Sequence, residues 1–492
     1  MSADLILAID QGTTGTTCML VDPELRVLAQ AKHEFPQHFP QPGWVEHDPD
    51  ELWASVLAGI SDVLERSGAE PSRIAAIGIT NQRETTLLWD RKTGHRVHRA
   101  IVWQDRRTAA LCESLQEAGH QDRVAALTGL RLDPYFSGTK LAWMLDNVPG
   151  AREAAEAGTL AAGTVDSYLL WRLTGGAHMT EPSNASRTLL WPLEGGGWSE
   201  EMCALLRVPR ALLPEVGPCT AEFGVTRGLT GLPDGIPIRG IAGDQQAALF
   251  GQACFAAGEA KCTYGTGAFV VLNTGSRIVP SRHDLLTSVA WQIGEQTTYC
   301  LEGSAFMAGA VVQWLRDQLG LIEHAEDVEA LARTVADSGG VVLVPGHAGL
   351  GAPHWRPHAR GIIRGITRGT GRGHLARAAL EGIALQIADL VEAMSADYGR
   401  AVAVLKVDGG AAANDLLMQI QSDLLELPLE RPTMQEATAL GAIFLAGLGA
   451  GIWPDREALR STWQRERRFD PAPDLDALAS LRQRWRDAVE RA

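Results

Sequence analysis

Two segments of this chain, about half a chain apart, repeat one arrangement that constrains the fold more than any other feature. In each segment an apolar run enters a turn of glycine and threonine, and a second apolar run follows. The first segment covers residues 5–22 and the second covers residues 263–272. This pattern is typical of a β-hairpin. Two similar hairpins, one in each half, predict a duplicated fold with a nucleotide held between the halves.

Elsewhere strand-like and helix-like runs alternate, which favours an α/β fold. Apolar residues at helical spacing predict a helix from Leu375 onward, and Asn414 is placed to cap a helix over residues 416–425. The Ala- and Gly-rich run 437–453 is shorter than the roughly 20 residues of a membrane span and predicts a buried helix. A junction within 251–261 predicts two domains, residues 1–250 and 251–492. Strand-like runs cover residues 74–79, 86–90, 237–242, 341–345 and 402–407.

Composition and charge limit the partners and the compartment. The formal net charge of −15 argues against a nucleic-acid partner, because a phosphate backbone demands basic patches. The seven cysteines are dispersed without a CxxC pair, which is typical of reduced thiols in the cytoplasm. The first apolar run is interrupted by Asp4 and Asp10 and lacks a basic flank, unlike a signal peptide. These features predict a cytoplasmic protein with no membrane span.

The first turn, residues 10–15, carries the groups that a phosphate needs. Glycines let backbone N–H groups approach an anion, threonine hydroxyls donate to phosphate oxygens, and Asp10 can hold Mg²⁺ directly or through water. The lysine of a GxxxxGK[ST] loop is absent, and one such hairpin alone also fits an ordinary β-turn. Two further turns favour phosphate binding: a Gly/Thr turn at 265–267 and a Gly409-Gly410 turn before Asn414. The second of these turns is suited to binding adenosine.

Further stretches carry specific motifs in a fixed order. They are 81–86 (NQRETT), 100–108 (AIVWQDRRT), 133–140 (DPYFSGTK), 184–188 (NASRT), 243–252 (GDQQAALFGQ), 306–309 (FMAG) and 313–314 (QW). Together, over nearly the whole chain, they resemble the FGGY family of sugar and polyol kinases. The resemblance implies an actin-like fold of two ribonuclease H-like lobes with a nucleotide cleft between them. It also implies the phosphorylation of glycerol by ATP with Mg²⁺ to give sn-glycerol 3-phosphate, the entry step of glycerol catabolism.

The resemblance assigns roles to individual residues. Asp244 is implied to be the general base, and Asp10 is implied to lie at the metal. The residues implied for glycerol are Arg83, Glu84, Trp103, Tyr135, Asp244, Gln245 and Phe269. The residues implied for the nucleotide are Thr13, Thr14, Gly15, Thr266, Gly309, Gln313, Gly410 and Asn414.

The side-chain chemistry of the acceptor residues suits a polyol, although each residue also has a purely structural interpretation. Arg83 supplies a fork of donors and Glu84 an acceptor, yet the two also fit a surface ion pair. Trp103 and Phe269 offer flat surfaces for carbon atoms, yet both also fit a core. Asp244 also fits the cap of the helix that follows it.

Thr17 stands where members of this family that act on glycerol usually carry an arginine, so one positive contact to the phosphates is missing. The loop 228–235 lacks the lysine-containing glycine loop that some relatives use for a sugar bisphosphate, and no histidine lies between His178 and His283. Neither of these two controls is therefore expected to operate. The resemblance also implies a homodimer or homotetramer.

Two alternative functions stay open at this point. One is a kinase for another small polyol or ketotriose, such as erythritol or dihydroxyacetone, because the depth of a pocket is not visible in a sequence. The other is a nucleotide-binding regulator that has lost catalysis. The second predicts a damaged site, whereas Asp244, Arg83, Glu84 and Tyr135 are all present.

Overall fold

The computed structural model describes residues 3–356, 358–472 and 474–492. Two mixed sheets form the centres of two lobes, and we label their ten central strands in chain order. Those of the N-terminal lobe are β1 (Leu5–Gln11), β2 (Gly15–Val21), β3 (Val27–Glu34), β4 (Ile74–Asn81) and β5 (Pro237–Gly243). Those of the C-terminal lobe are β6 (Ala260–Tyr264), β7 (Ala268–Gly275), β8 (Gln296–Ala305), β9 (Leu405–Asp408) and β10 (Leu429–Pro432).

The two sheets repeat one topology. Spatial order is β5-β4-β1-β2-β3 in the first and β10-β9-β6-β7-β8 in the second. In each sheet the first three strands pair antiparallel, whereas the fourth and fifth run parallel to the first. The duplication predicted from the hairpins is confirmed. Because parallel strands share their carboxyl edge, the loops that follow these strands meet at one edge of each sheet.

Six helices are central to the site: α1 (Pro49–Ser67), α2 (Asp244–Gly251), α3 (Gly309–Asp317), α4 (Arg372–Tyr398), α5 (Asp415–Leu425) and α6 (Ala437–Gly449). The helix predicted from Leu375 is α4, and the capped helix predicted after Asn414 is α5. The strand predicted over 402–407 begins only at Leu405, because its partner β6 begins at Ala260, directly opposite Leu405.

Helices α2 and α6 follow the fifth strand of each sheet and pack against one another. A β-carbon on Gly441 would overlap the carbonyl oxygen of Ala247, and one on Gly251 would overlap that of Ala437. The two backbones therefore approach closely only because glycine stands at both contacts. Helix α6 is buried, as predicted, and it also packs across β1, β4 and β5. The predicted division into residues 1–250 and 251–492 stays a prediction. It would assign α6 to the second domain, although α6 covers the sheet of the first.

No helix in the described part of the chain is long and apolar enough to cross a membrane.

The remaining elements frame the cleft and the outer surfaces. The other strands are Glu46–His47, Thr86–Asp90, Ala100–Ile101, Leu160–Thr164, Met179–Thr180, Glu215–Val216, Gly224–Val225, Leu286–Ile293, Val342–Val344, Ile362–Arg364 and Arg465–Phe469. The other helices are Pro71–Arg73, Ala109–Glu117, Gln121–Thr128, Ser137–Asn147, Ala151–Glu156, Val165–Thr174, Pro182–Ala185, Glu200–Leu205, Arg210–Leu212, Asp327–Ala332, Gly410–Ala413, Arg456–Thr462 and Leu475–Val489.

Candidate active site

The turn of the first hairpin is held closed by its own backbone. The N–H of Gly12 donates to the carbonyl oxygen of Gly15 at 2.9 Å. A β-carbon on Gly15 would lie 2.8 Å from the carbonyl oxygen of His33 on β3, so a larger residue would force the strands apart. Thr13 is half-buried and Thr14 is exposed. The turn therefore offers hydroxyl and backbone donors at the carboxyl end of β1.

Asp10 is half-buried near the end of β1, between Thr17 on β2 and Thr80 on β4. Burial, followed by the negative charges of Asp244 and Glu436, raises the pKa of Asp10 to about 8. Among the described residues, no group of three or more His, Cys, Asp and Glu side chains is arranged to enclose a metal ion. Mg²⁺ usually takes one or two carboxylates and completes its shell with water and phosphate oxygens. The carboxylates here fit a cation of that kind, one that arrives with a nucleotide.

The turn of the second hairpin is bound to the start of α3. The carbonyl oxygens of Gly265 and Thr266 accept hydrogen bonds from backbone N–H groups at the start of this helix, at 2.9–3.1 Å. A β-carbon on Gly309 would lie 2.7 Å from the carbonyl oxygen of Gly265, so the close contact requires glycine. Gln313 lies further along α3 and is exposed. Thr266, Gly309 and Gln313, which are far apart in sequence, are thus brought to one place.

The Gly-Gly turn after β9 lies beside the same hairpin. Gly409 has a φ of 88°, and a β-carbon there would lie 2.6 Å from the carbonyl oxygen of Tyr264 at the end of β6. Gly410 is exposed and has open space around its α-carbon. Asn414 caps α5, and its side-chain oxygen accepts from the N–H of Leu417 at 2.8 Å. The cap occupies one lone pair of this oxygen, and the amide nitrogen of Asn414 stays available to a ligand.

Arg83 lies at the centre of the predicted acceptor residues and is 2% exposed. Its Nη1 donates to Oε1 of Gln246 at 3.1 Å, and its Nη2 donates to the hydroxyl of Tyr135 at 3.4 Å. Its Nε lies 3.1 Å from Oδ1 of Asp244, but the Nε–H has no hydrogen-bond partner in the described part of the chain. Arg83 and Glu84 are both buried, so they do not form a surface ion pair.

Two residues that the sequence analysis did not assign complete this cluster. Arg187 is buried, and its Nε donates to Oε1 of Glu84 at 2.6 Å while its Nη2 donates to Oε1 of Glu302 at 3.0 Å. Glu302, on β8 of the C-terminal lobe, also accepts from both terminal nitrogens of Arg83. The sequence held a signal for each of these residues. Arg187 lies within the motif at 184–188, and Glu302 is the single acid in a mostly buried strand.

The cluster therefore holds two guanidinium groups and two carboxylates with little access to solvent. Burial alone would raise the pKa of Glu302, but the charges of Arg187 and Arg83 outweigh it and lower the pKa to about 2. Burial raises the pKa of Glu84, and the same two arginines offset that only in part. Glu302 is thus the better paired carboxylate. Glu84 also holds a φ of 58°, a strained conformation for a residue other than glycine.

Trp103 connects the first turn to the acceptor residues. Its Nε1–H donates to Oγ1 of Thr13 at 2.9 Å, and its ring lies edge-on to that of Tyr135 with the centroids 5.6 Å apart. Phe269 is half-buried on β7 and makes no ring contact with Trp103 or Tyr135. The structure thus places Trp103 and Tyr135 together and Phe269 on the sheet of the other lobe.

Asp244 begins α2, and its side chain is 28% exposed. Its Oδ1 accepts from the N–H of Gln245 at 2.7 Å, and the preceding Gly243 donates its N–H to the hydroxyl of Ser183 at 2.9 Å. The carboxylate is therefore held by backbone contacts at a cleft and still reaches solvent. The amide oxygen of Gln245 accepts a hydrogen bond from the buried ammonium group of Lys261, and the amide nitrogen stays available to a ligand.

Known proteins are similar to this chain in both sequence and fold. The sequence models of the N-terminal and C-terminal domains of the FGGY family of carbohydrate kinases match residues 5–251 and 260–450. The glycerol kinases of Myxococcus xanthus and Aromatoleum aromaticum are each 58% identical to this chain, over 100% and 99% of it and over 99% and 98% of their own lengths.

A solved structure resembles the whole chain. The crystal structure of Plasmodium falciparum glycerol kinase with ADP is similar with a TM-score of 0.93 and 35% identity, covering 100% of this chain and 98% of that one. The motifs, the duplicated sheets and these matches extend over both lobes. The chain belongs to the FGGY family of carbohydrate kinases.

Proposed function

We propose that this enzyme transfers the γ-phosphoryl group of ATP to a terminal hydroxyl of glycerol and releases sn-glycerol 3-phosphate and ADP. The observation that carries the proposal is the position of Asp244. Its part-exposed carboxylate lies 3.1 Å from the Nε of Arg83 and forms an ion pair with it, but the buried Nε–H has no hydrogen-bond partner among the described residues. A buried donor without a partner is costly, and a hydroxyl bound beside Asp244 would satisfy it. Relatives that match the full length are glycerol kinases.

The acceptor pocket proposed here combines a polar side with an aromatic side. Arg83 and Glu84 pair the hydroxyl groups, Tyr135 and Gln245 add further polar contacts, and Trp103 and Phe269 cover the carbon atoms. A pocket with buried polar groups rejects analogues that lack a hydroxyl, because those groups are then left unpaired. Glycerol is thereby favoured over smaller or deoxygenated alcohols.

In the transfer step, Asp244 accepts the proton of the attacking hydroxyl as general base. The new bond joins the glycerol oxygen to the γ-phosphorus, the bond from that phosphorus to the β–γ bridging oxygen breaks, and ADP leaves with the electron pair. Thr13, Thr14, Gly15 and Thr266 hold the phosphates in line, while Gly309, Gln313, Gly410 and Asn414 hold the rest of the nucleotide. Positioning of this kind supplies about 7–11 kcal/mol of a barrier.

Asp10 is the residue that would hold magnesium, which neutralises phosphate charge when it arrives with ATP. Its position beside Asp244 and Glu436, with excess negative charge, supports that assignment. We place the enzyme in the cytoplasm, because all seven cysteines are free and buried, as expected of reduced thiols. Assembly into a dimer or tetramer stays a prediction of the family resemblance.

The test measures ADP and glycerol 3-phosphate made by the purified protein from ATP, magnesium and glycerol. Asp244→Asn should bind both substrates but lower kcat by about 100-fold or more, the usual effect of losing a general base. Asp234→Asn, on an exposed loop, is the matched control, since the N–H of Gly228 is the one hydrogen-bond partner of its carboxylate in the described part of the chain.

Four results would count against the proposal. A folded protein that makes no glycerol 3-phosphate overturns it, and near-normal turnover by Asp244→Asn removes that residue from the role of base. Faster phosphorylation of erythritol or dihydroxyacetone in the same assay would change the acceptor. If the protein is a regulator without catalysis, adding an alcohol will not increase the release of ADP.

A further inference from the structure

Three side chains form a row across the first three strands. Asp10 on β1 lies directly opposite Thr17 on β2, and Thr17 lies directly opposite Lys32 on β3. Directly opposite residues of an antiparallel pair point to the same face of the sheet. Asp10, Thr17 and Lys32 therefore share one face, with the small threonine in the middle.

This face is the one that borders the cleft. The residues that alternate with the row, such as Ile9, Cys18 and Ala31, belong to the core on the α1 side. Those in phase with the row, such as Ala8 and Met19, belong to the core formed with α6. The row thus lies on the face of the sheet that packs against α6, and it lies nearer than that apolar contact to the turn that we propose binds phosphate.

Lys32 is the cation of this region that has no partner of its own. It is exposed, and no hydrogen bond or ion pair of its ammonium group is present among the described residues. Other cations near the cleft are already engaged: Arg83 by Glu302, and Lys261 by Gln245.

We propose that Lys32 reaches past Thr17 and binds the phosphate chain of the nucleotide. This inference rests on the proposed function, because it takes the first turn as the phosphate site. A lysine carries a compact charge on a flexible stem and binds phosphate as a point charge without a fixed fork. Lys32 thereby supplies, from the neighbouring strand, the positive charge that an arginine at position 17 would provide.

The test measures the dissociation constants of ADP, ATP and adenosine by calorimetry, without turnover. Lys32→Gln should weaken ADP and ATP about 10-fold, as expected for one charge-assisted contact at a partly exposed site, and should leave adenosine unchanged. The loss should shrink as salt is raised, since exposed charges are screened. Lys92→Gln is the control, because Lys92 is exposed on a turn outside the three strands that carry the row.

Rescue separates a phosphate contact from a general surface effect. Thr17→Arg added to Lys32→Gln should restore the affinity for ADP, and Lys32→Arg alone should keep it. Equal ADP affinity in Lys32→Gln and Lys92→Gln overturns the inference, as does an equal loss for adenosine. A wild-type protein that binds ADP but makes no glycerol 3-phosphate would overturn the proposed function. The inference about Lys32 would then still be decided by the ADP affinities of the variants.

Discussion

Glu302→Gln removes one negative charge from the buried cluster while keeping the shape of the side chain. In the native protein Glu302 is fully buried and accepts hydrogen bonds from Arg83 and Arg187. After the substitution Glu84 stays as a fully buried carboxylate beside the two guanidinium groups, whereas Asp244, which also pairs with Arg83, is 28% exposed. The loss of one buried negative charge should destabilise the fold and loosen Arg83.

The size of the effect follows from the pKa of Glu302. That pKa falls from its ordinary 4.5 to about 2 in the folded protein, and each pH unit is worth about 1.4 kcal/mol, so the paired charge contributes about 3 kcal/mol. Breaking a buried ion pair by removing one partner costs about 3–5 kcal/mol, which agrees. Because the folded pKa is depressed, this stability is fully present above pH 4.5 and is lost as the pH falls toward 2.

The assay is urea unfolding followed by tryptophan fluorescence, at pH 7 and at steps below pH 4.5. The difference between wild type and Glu302→Gln should be about 3 kcal/mol at pH 7 and should narrow at the acidic steps. Glu201→Gln is the control, since Glu201 makes a similar two-bond pair with Arg123 on the exposed surface and its loss should leave the transition unmoved. A difference below about 1 kcal/mol at pH 7, or one that does not narrow with acid, would refute the reasoning.

Two further predictions address the pocket and the contact between the lobes. Arg83→Ala should raise the KM for glycerol far more than the KM for ATP in steady-state assays, and equal effects would place Arg83 outside the acceptor pocket. Gly441→Ala should lower the free energy of unfolding by about 1–3 kcal/mol, because the new methyl group meets the carbonyl oxygen of Ala247. Gly369→Ala, where a β-carbon would lie an ordinary 3.8 Å from the hydroxyl of Thr367, should leave denaturant stability unchanged, and equal stability of the two variants would contradict the close contact.

Local patterns predicted the elements that depend on neighbours in the chain. The two hairpins, the cap at Asn414 and the buried helix α6 are each specified by residue types within a few positions, and the structure contains all of them. Strand β9 was predicted too long, because an apolar run does not reveal where its pairing partner begins.

The contacts that complete the site depend on distant residues. Glu302 pairs with Arg83 across 219 positions and with Arg187 across 115, and no local pattern links residues at those separations. The row through Thr17 to Lys32 likewise requires the register of three strands. Residue types thus suggested the roles that we propose for Arg83 and Asp244, while the partners that orient Arg83 became visible only in three dimensions.

The origin of Glu302 has a consequence for the modularity of the protein. The duplicated sheets suggest two interchangeable halves, but the arginine fork of one half is anchored by an acid from the other. A separated N-terminal half would expose Arg83 and Arg187 without the buried carboxylate of Glu302 that both of them bind. The acceptor pocket that we propose therefore needs both halves of the chain, and neither half would form it alone.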